Sequence, residues 1–229
     1  MTQQRNIVTR TWGSSVGKKA VIAVTGVIFL LYVTAHMIGN LKIFFGITTF
    51  DDYSVHLRTL GEDIFGYGGV LWLIRGVLTA TVLLHMWAAF SLWSKAKKAR
   101  PVGYAHRQSL QGSYAARTMR WGGVIIALFV VWHILDLTLG VVNPLNENSG
   151  AYQKLVASFD RPVVAIFYIV AMLALGLHIR HGLWSAIQTL GGNSALRQNA
   201  LKTFSFVVAA VITAGFVIIP ISVMTGLVR

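Results

Sequence analysis

Long apolar runs separated by polar segments dominate the chain, at roughly 20–45, 70–93, 122–142, 163–187 and 204–227. A helix rises 1.5 Å per residue, so about 20 apolar residues cross a hydrocarbon layer of ~30 Å, and each run is long enough. A spanning barrel is written in alternating segments of about ten residues, a pattern absent here. The runs therefore predict an all-α fold, a bundle of five transmembrane helices forming a single domain over residues 1–229. Five crossings put the two termini on opposite sides. The segments 46–69, 94–121, 143–162 and 191–203 contain turn-forming Gly, Pro, Asn or Ser and read as linkers. Residues 1–19 are polar and basic. The run that follows them is too long for a signal-peptide core and lacks a small-residue cleavage site, so no cleaved signal is expected.

Composition agrees with this reading and removes several chemistries. Of 229 residues, 55% are hydrophobic and 12% charged, about half the charged share of an ordinary soluble domain. The chain has no Cys, which excludes disulfides, thiolate-held iron–sulfur clusters and a haem tethered through C-x-x-C-H. A bound metal must rest on His, Asp or Glu. Charge is also unevenly placed. Thirteen of the 20 Lys and Arg fall on the N-terminal side: Arg5, Arg10, Lys18 and Lys19, then seven between Lys95 and Arg120, then Arg197 and Lys202. All seven acids, Asp51, Asp52, Glu62, Asp63, Asp136, Glu147 and Asp160, fall in the opposite half. The positive-inside rule puts the N-terminus in the cytoplasm. Topology alone explains such a face, and the same cations suit a soluble partner or anionic lipid headgroups. No nucleic-acid-binding module is present, and nucleic acid is not an expected partner.

His56 and His106 lie in linkers, but His36, His85, His133, His178 and His181 lie within apolar runs, where polar side chains are expensive and usually functional. Counting rise from the cytoplasmic ends puts His36 about 24 Å and His133 about 17 Å deep, with His85 and His178 about 12–14 Å deep. Two levels emerge, each with one histidine from each of two helices that run in the same direction. Such helices are diagonal partners in a four-helix core, so each pair can face across its interior. Two axial imidazoles around a porphyrin iron suit electron transfer, because the iron changes charge while keeping its ligands. Zinc needs its ligands to converge on one point, against the two-level arrangement. A proton-coupled membrane transporter using the histidines as a relay, with Asp136 near His133 as a member, is the alternative. Packing histidines are the third reading.

The residues around the histidines are Ala35-His36-Met37-Ile38-Gly39-Asn40-Leu41, Leu84-His85-Met86-Trp87, Trp132-His133-Ile134-Leu135-Asp136 and Leu177-His178-Ile179-Arg180-His181-Gly182-Leu183-Trp184. Over roughly residues 18–190 they resemble the cytochrome b membrane-anchor subunit of bacterial succinate dehydrogenases and fumarate reductases, in its single-polypeptide, five-helix, dihaem form. The resemblance implies two haem b groups and a multi-pass protein of the bacterial cell membrane. Electrons would pass from an iron–sulfur subunit to membrane quinone, with menaquinone suggested by the dihaem form. Succinate oxidation would occur in a flavoprotein partner, so no catalytic residue is expected in this chain. Family pattern matches His85 and His178 to the proximal haem and His36 and His133 to the distal one. Its spacing, His followed after three residues by Gly-Leu-aromatic, selects His178 over His181. His181 is left to a haem propionate or to water, and Arg180 to a propionate or to lipid headgroups.

Other polar residues have two readings each. Asp136 either orients His133 through the ring's other nitrogen or sits at a helix end among headgroups. Asn40 either makes a local polar contact or lines a quinone pocket. Arg75 and Glu62 either serve a distal quinone site or are solvated interface charges. Gly26, Gly39, Gly76, Gly122, Gly123, Gly176 and Gly182 either give flat macrocycles room against the helices or serve general helix packing in membranes. The last run contains neither His nor a charged residue and is expected to pack beside the histidine-bearing helices or contact neighbouring chains. Whether complexes associate further is left open by the sequence.

Overall fold

The computed structural model describes residues 13–99, 114–145, 149–192 and 195–229. Their regular structure is helical throughout, with no strand among them. In chain order the elements are α1 (Ser15–Asn40), extended by a tighter turn Leu41–Phe45, then α2 (Ile47–Thr59), α3 (Glu62–Phe65), α4 (Gly69–Lys98) and α5 (Tyr114–His133), which continues as a π turn Ile134–Thr138. There follow α6 (Ala151–Phe159), α7 (Pro162–Thr189) and α8 (Gln198–Met224). Five segments are long and apolar enough to cross a membrane: Ser15–Phe45, Gly69–Lys98, Met119–Thr138, Pro162–Thr189 and Gln198–Met224.

Local chemistry accounts for several boundaries. Ser14 caps α1 by accepting a hydrogen bond from the Gly17 N–H at 2.9 Å, satisfying one of the donors that a helix start leaves free. Pro162 opens α7, where its missing N–H costs nothing and its fixed φ suits the first turn. Gly46 (φ 94°) turns the chain sharply after α1, a conformation that side-chain-bearing residues avoid. Two segments read as linkers contain helices instead. Segment 46–69 contains α2 and α3, and segment 143–162 contains α6. Both α2 and α6 bury aromatic residues, Phe50 in the first and Tyr152 and Phe159 in the second. Asp51 of α2 accepts the Tyr152 N–H at 2.9 Å and so ties the two together.

α1 packs against α4, α7 and α8, while α7 packs against α1, α5 and α8. Around the bundle the order is α4, α1, α7, α5, with α8 laid against α1 and α7. Neither α1 with α5 nor α4 with α7 is a closely packed pair among the described residues. At the α7–α8 contact, Gly176 lies so close to Thr213 that a Cβ there would overlap the Thr213 hydroxyl. That hydroxyl is fixed by donating to the Ala209 carbonyl at 2.7 Å.

The densest core lies at the end of the bundle away from the start of α1, where Ile43, Phe50, Tyr152, Phe159, Tyr168 and Ile219 meet. Asp136, fully buried in the π turn, anchors this end. One carboxylate oxygen accepts from Asn143 Nδ2 and Arg161 Nη2, both at 3.1 Å. The other accepts from the Tyr168 hydroxyl at 3.0 Å and from the Ser158 hydroxyl. Arg161 also donates to the Val142 carbonyl at 3.0 Å. One buried charge thus joins the π turn, α6, α7 and the intervening loop, and its hydrogen-bonding capacity is filled by four donors.

Candidate functional site

Four of the intramembrane histidines meet in two pairs. His36 on α1 and His133 at the end of α5 have ring centroids 5.8 Å apart and planes at 87°. His85 on α4 and His178 on α7 have centroids 6.3 Å apart and planes at 53°. Each pair bridges two helices that do not themselves pack closely. Their separation along the membrane normal follows from α1. Thr25 on α1 touches His85, and His36 lies eleven residues further along, which is about three turns and ~16 Å at 1.5 Å per residue. Eleven residues bring the chain back to nearly the same face, so α1 presents both levels to one side of the bundle.

Each ring is set in place by its neighbours. His85 Nδ1 lies 2.8 Å from the Thr25 hydroxyl, and Phe29 meets its ring edge-on at 5.7 Å. A Cβ at Gly26 would have as its nearest neighbour His85 Cε1 at 3.9 Å, and one at Gly123 on α5 would similarly meet His178 Cε1 at 3.7 Å. The two glycines therefore leave space beside the two rings of this level. At the other level Tyr32 stacks on His36 with centroids 5.5 Å apart, and Phe216 of α8 approaches it at 5.9 Å. Phe129 and Tyr168 flank His133 at 5.7 and 6.0 Å. Nδ1 of His133 and of His178 is buried without a hydrogen-bond partner, as is Trp132 Nε1.

Other residues singled out by sequence lie elsewhere. His181 packs on Trp184 at 5.7 Å. The Arg180 guanidinium sits 5.2 Å over the ring of Phe206 on α8. Asp136 spends its four acceptor sites on Asn143, Arg161, Tyr168 and Ser158, and His133 is not among its donors. Asn40 donates to the His36 backbone carbonyl at 2.7 Å, the local contact of its two readings. Arg75 lies 4.8 Å over Trp72, and Glu62 is exposed in the first turn of α3. His56 is exposed. His106 and Glu147 lie outside the described residues.

Thr25, Tyr32 and Phe216 belong to the site although their sequence context does not single them out. A threonine or an aromatic in an apolar run carries no signal until the helix face it occupies is known. Chemically, each pair offers two imidazole nitrogens across a gap. No group of three or more His, Asp or Glu side chains converges on one point among the described residues. Such a pair suits a metal whose remaining ligands come from a macrocycle.

Comparison with known proteins gives two matches. Residues 96–218 match the family described as succinate dehydrogenase/fumarate reductase transmembrane subunit. Among curated proteins, the chain is similar to the succinate dehydrogenase cytochrome b558 subunit of Bacillus subtilis (strain 168), with 28% identity over 82 residues. The alignment covers 36% of this chain and 39% of that relative's length. No solved structure matches at the same level of significance.

Proposed function

The chain belongs to the succinate dehydrogenase/fumarate reductase transmembrane subunit family, and from that membership we propose that it is a dihaem cytochrome b membrane anchor. His85 and His178 would hold the proximal haem b, and His36 and His133 the distal one. Together the five spans form one haem-binding unit in the bacterial cell membrane, with the N-terminus in the cytoplasm. When bound, the haems supply one-electron redox chemistry at an iron that keeps its ligands in both states.

The observation that carries this reading is the pairing of four histidines at two levels. Two imidazole nitrogens about 2.0–2.1 Å from a shared metal, with each ring centre a further ~1.1 Å behind, put the centroids about 6.3 Å apart. The measured separations are 6.3 Å and 5.8 Å. Gly26 and Gly123 add support by leaving the rings of His85 and His178 free of side-chain bulk. Tyr32, Phe216 and Phe129 wall the other pair with aromatic surface.

In this account the chain carries electrons between an iron–sulfur partner on the cytoplasmic side and a membrane quinone, menaquinone for the dihaem form. A flavoprotein partner performs the succinate chemistry, and this chain contributes no catalytic residue to it. The basic N-terminal side, with exposed Lys19, Lys95, Lys97 and Lys98 at the starts and ends of spans, supplies the surface that a soluble partner meets. A reduced-minus-oxidised absorption spectrum of the purified complex tests the proposal. Bands of a b-type haem support it, and a colourless protein after expression with ample haem refutes it.

A further inference from the structure

The hydrogen bond between Thr25 and His85 decides which imidazole nitrogen of His85 carries the proton. Thr25 is buried, 5% exposed, and its hydroxyl has one hydrogen and two lone pairs. The hydroxyl oxygen lies 2.6 Å from the Val21 carbonyl oxygen and 3.2 Å from that of Ile22. Both neighbours are acceptors only, so the single hydroxyl hydrogen is directed to them. What the same oxygen offers to His85 Nδ1, 2.8 Å away, is a lone pair. Nδ1 must therefore be the donor, and the neutral ring keeps its free lone pair on Nε2.

We propose that Thr25 is a positioning residue for the haem at the His85–His178 level: it fixes the Nδ1–H tautomer of His85, turns Nε2 into the gap between α4 and α7, and strengthens that nitrogen as an iron ligand. The inference rests on the dihaem reading given above. Phe29 and Gly26, on the same stretch of α1, complete the setting. Phe29 limits rotation of the ring from its edge, and Gly26 leaves the space beside Cε1 open. A hydrogen bond accepted from the far nitrogen of a metal-bound imidazole raises ligand basicity, which favours ferric over ferrous iron and lowers the reduction potential. His133 has no such partner on Nδ1. Thr25 thus acts on one ligand of one haem.

The test is a potentiometric titration of the b-type absorption bands in the full purified complex, together with low-temperature EPR of the oxidised haems. The component that disappears in His85→Ala marks the haem at this level. Thr25→Val, which keeps the shape and removes the hydroxyl, is expected to raise the midpoint potential of that component alone and to move its EPR signal. Thr25→Ser is expected to return both to their original values. Should the valine variant fail to assemble, Thr25→Ala removes the hydroxyl together with the γ-methyl and is read in the same way. Unchanged potential and EPR signal in the hydroxyl-free variant, or equal movement of both haems, overturns the role of Thr25 while leaving two haems in place. Absence of any b-type band in the unmodified complex removes the dihaem reading and this inference together.

Discussion

Replacing Asp136 with Asn leaves the side chain nearly unchanged in shape but removes its charge and half of its accepting capacity. In the native arrangement each carboxylate oxygen receives two donors, Asn143 with Arg161 on one and Ser158 with Tyr168 on the other. With its oxygen kept toward Asn143 and Arg161, the new NH2 group faces the Ser158 and Tyr168 hydroxyls and can donate to them, but both hydroxyls then lose the carboxylate that accepts their own hydrogens. Hydrogen bonds to a charged acceptor, worth about 1.5–3 kcal/mol each, are exchanged for weaker neutral ones. Breaking a buried ion pair from one side costs about 3–5 kcal/mol. Arg161 is 32% exposed and can recover some hydration, so the lower part of that range applies, about 3 kcal/mol. For a chain of this size the loss corresponds to roughly 6–12 °C in Tm.

Thermal unfolding in detergent, followed by far-ultraviolet circular dichroism and by the haem Soret band, measures the effect of Asp136→Asn. Below the transition, the spectrum of both haems is expected to match the unmodified protein, because His133 is not a donor to Asp136. A Tm within 1–2 °C of the original refutes the structural role worked out here. Selective loss of the haem at the His36–His133 level with an unchanged Tm would show instead that the carboxylate serves that histidine.

Three further outcomes follow from the packing around the histidines. Gly176→Ala drives a methyl into the Thr213 hydroxyl across the α7–α8 contact. It should destabilise by about 1–3 kcal/mol, with Gly176→Ala/Thr213→Ala restoring most of the loss in the same melt. Gly123→Val fills space whose nearest occupant is His178 Cε1. One of the two haems should be lost from the pyridine-haemochrome count, while the helical content read by circular dichroism stays unchanged. His181→Ala, which removes a ring packed on Trp184 rather than one facing His85, should leave the haem count unaltered.

Long spans were readable in the sequence because twenty consecutive apolar residues have few other places to go. The two histidine levels were readable too, since rise per residue converts position into depth and equal depth on parallel helices brings side chains together. Helices α2 and α6 were not read, although Tyr152, Leu155, Val156 and Phe159 recur at helical spacing within the segment taken as a linker. Their burial depends on a cap of core that neither segment forms alone. Asp136 was ambiguous for a related reason. Its partner Arg161 lies 25 residues away, and the π turn that brings it inside has no signature in the surrounding residues. Thr25 was silent because a hydroxyl in an apolar helix gains meaning only from the ring opposite it.

The account rests on two bis-imidazole haems held by four named side chains, and haem stoichiometry in single variants measures this most directly. Pyridine-haemochrome assay against protein concentration should give two haem b per chain in the unmodified protein. It should give one in each of His36→Ala, His85→Ala, His133→Ala and His178→Ala. Two haems retained in all four variants, or none in the unmodified protein, would contradict it.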